Sequence, residues 1–241
     1  MSVLATDQMG YAADQRFFTR MATFVAILIV FAFAQFSLRG MVDWRSAPWT
    51  THLHGIAMLG WLAVFVVQNR LAQHGQLALH RRLGRMAAVL AAATVVLGCV
   101  AGVTALQRAS VPPFFSQAYF LGLTQFEALG FGGFVLVALL QRRNTEVHRR
   151  LMFGALVLIT EPAFGRLLPM PFLGGWGGWL QVVLQMALMA AIALHDRRVG
   201  GRVQAATLWS AVVIVAIHGL VEFGATTTFM IDLAARIAAA G

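Results

Sequence analysis

The sequence predicts an all-α, polytopic transmembrane helical bundle of seven spans, and three observations carry that prediction. Hydrophobic residues make up 59% of the 241-residue chain and charged residues only 11%, with a mean hydropathy of +0.76; soluble domains carry about a quarter charged residues. Long apolar runs recur along the whole chain. The basic residues, 18 Arg and no Lys, fall mainly between those runs. In a soluble chain a formal charge of +9 would suggest nucleic acid. Arg placed between apolar runs instead serves membrane topology and anionic lipid, so the expected partner is the bilayer and not nucleic acid.

A spanning helix needs roughly 20 apolar residues, and seven runs qualify: 21–38, 53–69, 84–106, 118–140, 151–168, 177–194 and 205–229. The first, MATFVAILIVFAFAQF, has signal-peptide hydrophobicity and an AxA-like Ala32 to Ala34. Its long leader, where Asp7 and Asp14 offset Arg16 and Arg20, is untypical of a cleaved signal, so it is expected to stay as a span. The second opens on THLHGIAMLGW, and the third follows LALHRRLGR and holds Cys99. The fourth follows a VPPFF turn and the fifth opens on HRRLM, with Pro162 inside it. The sixth follows PMPFLGGWGGW, where Trp176 and Trp179 suit interfacial anchoring. The seventh contains HGLVE. Residues 1–20 then form an N-terminal segment, 21–230 the bundle and 231–241 a C-terminal tail.

Direction follows from the Arg distribution. Connections after spans two, four and six carry Arg70, Arg81, Arg82 and Arg85, then Arg142, Arg143, Arg149 and Arg150, then Arg197, Arg198 and Arg202. The others carry only Arg39, Arg45, Arg108 and Arg166. The positive-inside bias places the rich loops and the N-terminus in the cytoplasm and the C-terminal tail outside. The recurring phrases LALHRRLGR, EVHRRLM and ALHDRR suggest a hairpin of two spans used three times after the first helix. Setting Gln68 against Gln141 brings His54 over Glu127, which predicts equivalent depths for those two residues.

The phrase HRRLGR between two spans, followed by HRRLM opening another span with Arg166 near its far end, resembles a widespread family of bacterial multipass membrane proteins with no established activity. The resemblance covers roughly residues 52–168. It implies a helical bundle of the bacterial inner membrane and carries over no chemistry. Apart from that resemblance, His80, Arg81, Arg82, Arg85, His148, Arg149 and Arg150 suit a lipid or anion interface, since Arg at a span end snorkels to phosphate.

Ionisable groups inside spans cost on the order of 2.5–3.5 kcal/mol each and point to function. Glu127, Glu161, His218 and Glu222 stand well inside. With a rise of about 1.5 Å per residue, Glu127 lies roughly 15 Å below the outer surface, and Glu161, His218 and Glu222 roughly 10–16 Å below it. His54 lies nearer its entry point, and all five can share one layer. His218 and Glu222, four residues apart, share a helix face. His52 and His54 are separated by about 200° on a helix, so His54 is expected to face inward and His52 to sit at the outer boundary. Gln125, Gln185 and His52 are candidates for supporting hydrogen bonds, and Arg166 for neutralising a carboxylate.

Three carboxylates and two imidazoles in a dry bundle suit a transition metal, iron, copper, zinc or manganese, in a mono- or dinuclear site. The expected ligands are His54, Glu127, Glu161, His218 and Glu222. A haem b held between His54 and His218 is disfavoured by the carboxylates around it. The leading expectation is therefore a membrane metal-dependent oxidoreductase acting on a lipophilic substrate or quinone. The alternatives are a small proton- or ion-coupled transporter and an assembly factor of a membrane complex, with a homo-oligomer or partner subunit in either case. No P-loop, GxSxG or HExxH occurs, which disfavours nucleotide hydrolysis and the commonest serine and zinc hydrolases.

Overall fold

The computed structural model describes residues 3–241, with side chains from residue 12 onward. Met1 and Ser2 of the expected N-terminal segment, and the Asp7 side chain, lie outside the described residues. The chain is all-helical: α1 (Val3–Leu38), α2 (Trp49–Gln73), α3 (Leu77–Gln107), α4 (Gln117–Leu140), α5 (Thr145–Leu158), α6 (Glu161–Leu167), α7 (Met170–Leu173), α8 (Gly177–Gly200), α9 (Ala205–Ala225) and α10 (Thr228–Ala239).

Six helical stretches among the described residues are long and apolar enough to cross a membrane: Ala12–Leu38, Trp49–Gln73, Leu77–Gln107, Gln117–Leu140, Met170–Gly200 and Ala205–Ala225. This is the architecture of a multi-pass membrane protein. Each is apolar on both faces, as a spanning helix must be. On α1, Phe18, Ala22, Val25, Ile29 and Ala32 are buried at helical spacing while Phe24, Ile27 and Phe31 are exposed on the opposite side.

The expectation of seven equivalent spans and three repeated hairpins needs correction at residues 151–168. They form two short helices, α5 and α6, interrupted at Ile159 and Thr160. Pro162 has no N–H to give the carbonyl of Leu158, four residues earlier, so that helical bond is missing. Gln185 of α8 replaces it, donating Nε2 to the carbonyls of Leu158 at 2.9 Å and Val157 at 3.3 Å. Gln181 donates in the same way to the Glu161 carbonyl at 3.1 Å. Every residue from Phe153 to Glu161 is buried, which fits the rule that irregular backbone at membrane depth survives only inside protein. By contrast α3 runs unbroken, so the α2–α3 and α4–α5 hairpins are not copies of one unit. The expected seventh span also divides: α9 ends at Ala225, and most of the expected 231–241 tail belongs to α10. There Met230 and Ala234 pack on Leu106, Ala118 and Leu121.

Replacing Gln185, which is fully buried, by Leu leaves the Leu158 carbonyl unpaired, an expected cost of about 1–3 kcal/mol. In a Pro162→Ala background the restored N–H can serve that carbonyl, so the same substitution should cost measurably less. Thermal unfolding of the four proteins in one detergent gives the cycle; equal costs in both backgrounds would refute the replacement.

Lipid offers helices no hydrophobic drive to associate, so close packing of small residues and aromatic rings holds the bundle. A Cβ on Gly154 of α5 would meet Phe134 of α4 and Ser210 of α9, both at 2.7 Å, so α5 approaches both neighbours where only hydrogen fits. Around it Trp61, Phe65, Phe131, Phe153 and Phe18 form a chain of ring contacts with centroids 4.7–5.2 Å apart. This aromatic layer runs from Phe131 and Trp61 to Phe18, over which the Arg149 and Arg150 guanidiniums lie.

The Arg-rich loops gather at one end. There Arg150, at the start of α5, is 3% exposed and turned inward; its Nε and Nη2 donate to Asp196 Oδ1, near the end of α8, at 2.9 and 2.6 Å. Asp196 also accepts from Gln204 N at 3.1 Å and Thr207 Oγ1 at 2.6 Å, fixing the start of α9. Arg149 pairs with Asp14 of α1, which also receives His195 Nε2 at 2.9 Å. Gly201, in the left-handed region at φ 71°, closes α8 by donating its N–H to the Arg197 carbonyl at 3.0 Å. Arg149 and Arg150, expected at the lipid interface, thus hold helices together, whereas Arg81, Arg82 and Arg85 are exposed. His80 and His148 bind backbone instead, with Nδ1 3.2 Å from the Gln68 carbonyl and 2.7 Å from the Ala138 carbonyl.

Candidate functional site

At the Arg-poor end, four of the five expected ligand residues form a ladder. Glu222 and His218 lie on one face of α9, Glu161 opens α6 beside Pro162, and Glu127 sits midway along α4. His218 Nε2 is 3.3 Å from Glu222 Oε1, and its Nδ1 is 3.6 Å from Glu161 Oε1. Glu127 is the next acidic side chain inward and neighbours Glu161.

The Glu222 side chain is 32% exposed, whereas those of His218 and Glu161 are 1% and 3% exposed and Glu127 is buried. Tyr119, eight residues before Glu127 on α4 and so roughly 12 Å nearer the surface, stands beside His218 and Glu222 against Gly178. The edge of Trp179 covers the His218 ring, with centroids 4.8 Å apart at 76°.

The backbone of α8 brings these groups together. A Cβ on Gly178 would stand 2.6 Å from Tyr119 Oη, 2.7 Å from His218 Cε1 and 3.2 Å from Glu222 Oε1, so all three rest against bare backbone. Outside them lies a half-enclosed cavity of about 210 Å³, lined among others by Phe114, Phe115, Tyr119, Pro171, Gly178 and Glu222. The ladder runs inward from this cavity and stops at Glu127, one helical turn before Phe131 of the aromatic layer.

The charge balance of the ladder is unusual. Among the described residues no Arg pairs with Glu127, Glu161 or Glu222. Oε1 of Glu127, Oε1 of Glu161 and both His218 nitrogens are buried without a well-formed hydrogen bond. Two carboxylates offer each other only acceptors, so neither can satisfy the other without a proton. The ladder therefore needs protons or a cation to offset buried negative charge.

The remaining candidates lie elsewhere. His54 sits on the α2–α3 interface, where a Cβ on Gly98 would be 3.1 Å from its Cε1, and it pairs with no carboxylate among the described residues. His52 lies beside Trp44 at the first turn of α2, with ring centroids 6.0 Å apart. Gln125 bonds the Cys99 carbonyl at 3.1 Å, tying α4 to α3, and Gln185 serves the α5 break. Arg166 turns away from the carboxylates, with its guanidinium 4.0 Å over the Phe33 ring and Nη1 bonded to the Pro162 carbonyl at 2.8 Å. Among the described residues, no three His, Cys, Asp or Glu side chains converge in an arrangement that could hold a metal ion. The sequence missed Tyr119, whose place two turns before Glu127 was the available signal, and Gly178, which only the packing reveals. No family model, curated protein or solved structure matches this chain.

Proposed function

We propose that this is a proton-coupled membrane carrier whose proton site is the Glu222–His218–Glu161–Glu127 ladder. The observation that carries this function is the serial arrangement. Each group hands to the next from a cavity edge to a dry carboxyl pair, instead of converging on one point. A group at the surface exchanges protons with water; an imidazole relays them through its two distinct nitrogens; a facing carboxyl pair stores one between two acceptors. With the buried rings of Phe131, Trp61, Phe65 and Phe153 beyond Glu127, release to the opposite side demands a conformational change. The α5–α6 interruption beside Glu161 supplies a break of the kind that discontinuous helices provide at carrier sites. The resemblance to bacterial multipass proteins and the positive-inside rule favour the inner membrane, with the Arg-rich end cytoplasmic and the cavity facing out.

A metal ion in place of the proton is the second reading, favoured by the unpaired buried oxygens and imidazole nitrogens. It would restore the oxidoreductase on a lipophilic substrate or quinone. Infrared difference spectra across a pH step distinguish the two. Protonated Glu161 and Glu127 should give a carboxyl C=O band that is lost or shifted in Glu161→Gln and Glu127→Gln, and the same variants should lose pH-gradient-driven proton uptake in proteoliposomes. A band unchanged in both variants, together with stoichiometric metal by elemental analysis, would replace the proton with a metal.

A further inference from the structure

We propose that the cavity above the ladder binds a small organic cation, a quaternary or tertiary ammonium group seated between the Glu222 carboxylate and the rings of Phe115 and Tyr119. The proposal names a substrate class for the carrier site above and rests on that reading for its use in transport. Binding and proton uptake are measured separately, so either can fail alone.

The sign of the ligand follows from the lining. Among the described residues, Glu222 is the one charged side chain lining the cavity, and the groups beyond it, Glu161 and Glu127, carry the same sign or none. Arg166 lies over Phe33, Arg108 bonds the Ser46 carbonyl at 3.1 Å, and no Arg is among the described residues that line the cavity. An anion would meet Glu222 with no counter-charge, whereas a cation supplies the charge that the carboxylate lacks.

Ligand chemistry follows from the aromatic wall. Phe115 stacks on Tyr119 with centroids 5.3 Å apart at 13°, and Phe114 packs on Phe115 at 4.6 Å. Aromatic faces beside a carboxylate favour a weakly hydrated organic cation over a strongly hydrated inorganic one. At about 210 Å³ the space lies below the usual range for drug-sized ligands and suits a compact ammonium group. His218 is an independent sign of a missing partner. It is 1% exposed, neither nitrogen has a well-formed hydrogen bond, and Nε2 faces the Glu222 oxygen that lines the cavity.

Isothermal titration of the full-length protein in nanodiscs, at mildly alkaline pH, with choline as the probe and its neutral carbon isostere dimethylbutanol as the control, tests the site. Choline should bind saturably and the isostere at least about tenfold more weakly. Glu222→Gln should weaken choline by at least about tenfold. Phe115→Leu, which keeps apolar bulk and loses the π face, should weaken it by about three- to thirtyfold. Equal binding of choline and the isostere, retention of affinity in Glu222→Gln, displacement by equimolar sodium, or no choline binding to protein that still takes up protons would each overturn the proposal.

Discussion

Asp196→Ala is expected to lower stability by about 3–5 kcal/mol, the largest loss from any side-chain truncation at the Arg-rich end. Arg150 is 3% exposed, and Asp196 1%. Removing the carboxylate strands a guanidinium away from water, with only Glu146 and the more distant Asp14, at 3.8 Å, to answer it. The same change frees Gln204 N and Thr207 Oγ1 at the start of α9, so the loss spreads from one ion pair to the seating of a second helix. Thermal unfolding in a single detergent, read beside Arg81→Ala at an exposed position of the same end, measures it; that control should move by no more than about 0.5 kcal/mol. The double change Arg150→Met with Asp196→Leu should recover much of the loss, because it removes the stranded charge and the desolvation of both partners. If Asp196→Ala unfolds together with the Arg81→Ala control, the network does not hold the bundle.

How much of this was legible in the sequence depends on which coordinate is asked for. Depth along a helix is a sum of equal rises, so counting residues from span ends put Glu127, Glu161, His218 and Glu222 in one layer, and the structure joins these four in a ladder. Azimuth is set by neighbours that the counting never sees. His54 had the register for that layer, yet its helix turns it toward Gly98 of α3. Arg166 had the depth to neutralise a carboxylate, yet it lies over Phe33. The same limit hid Asp196 and Asp14. In HDRR and in the first-span leader they read as loop charges, and only the close approach of α1, α5 and α8 makes them buried partners of Arg149 and Arg150. Pro162 is visible in the sequence as a residue with no N–H for the helix, but the sequence does not show that Gln185, from a helix more than twenty residues on, satisfies the carbonyl it leaves free.

Gly178→Ala is expected to weaken choline binding by about ten- to hundredfold, the effect of forcing one methyl group into a close-packed contact costing about 1–3 kcal/mol. The new methyl would have to stand 2.6 Å from Tyr119 Oη and 2.7 Å from His218 Cε1. Neither atom belongs to a side chain that can fold aside: one ends a ring stacked on Phe115, and the other lies in a ring covered by Trp179. The rings must therefore move, which separates Tyr119 from Glu222 and lengthens the His218 contacts at both ladder steps. Glycine is otherwise the poorer helix former by about 1 kcal/mol, so Gly133→Ala, an exposed position in α4 with no atom within 4 Å of the added methyl, should be neutral or slightly stabilising and leave binding unchanged. Proton uptake separates the two sources of loss. If Gly178→Ala loses choline binding and the Glu161 infrared signal together, the α8 backbone positions the whole ladder; if binding alone falls, Gly178 shapes only the cavity. Unchanged binding and unchanged uptake would mean that the close contact at Gly178 has no part in either.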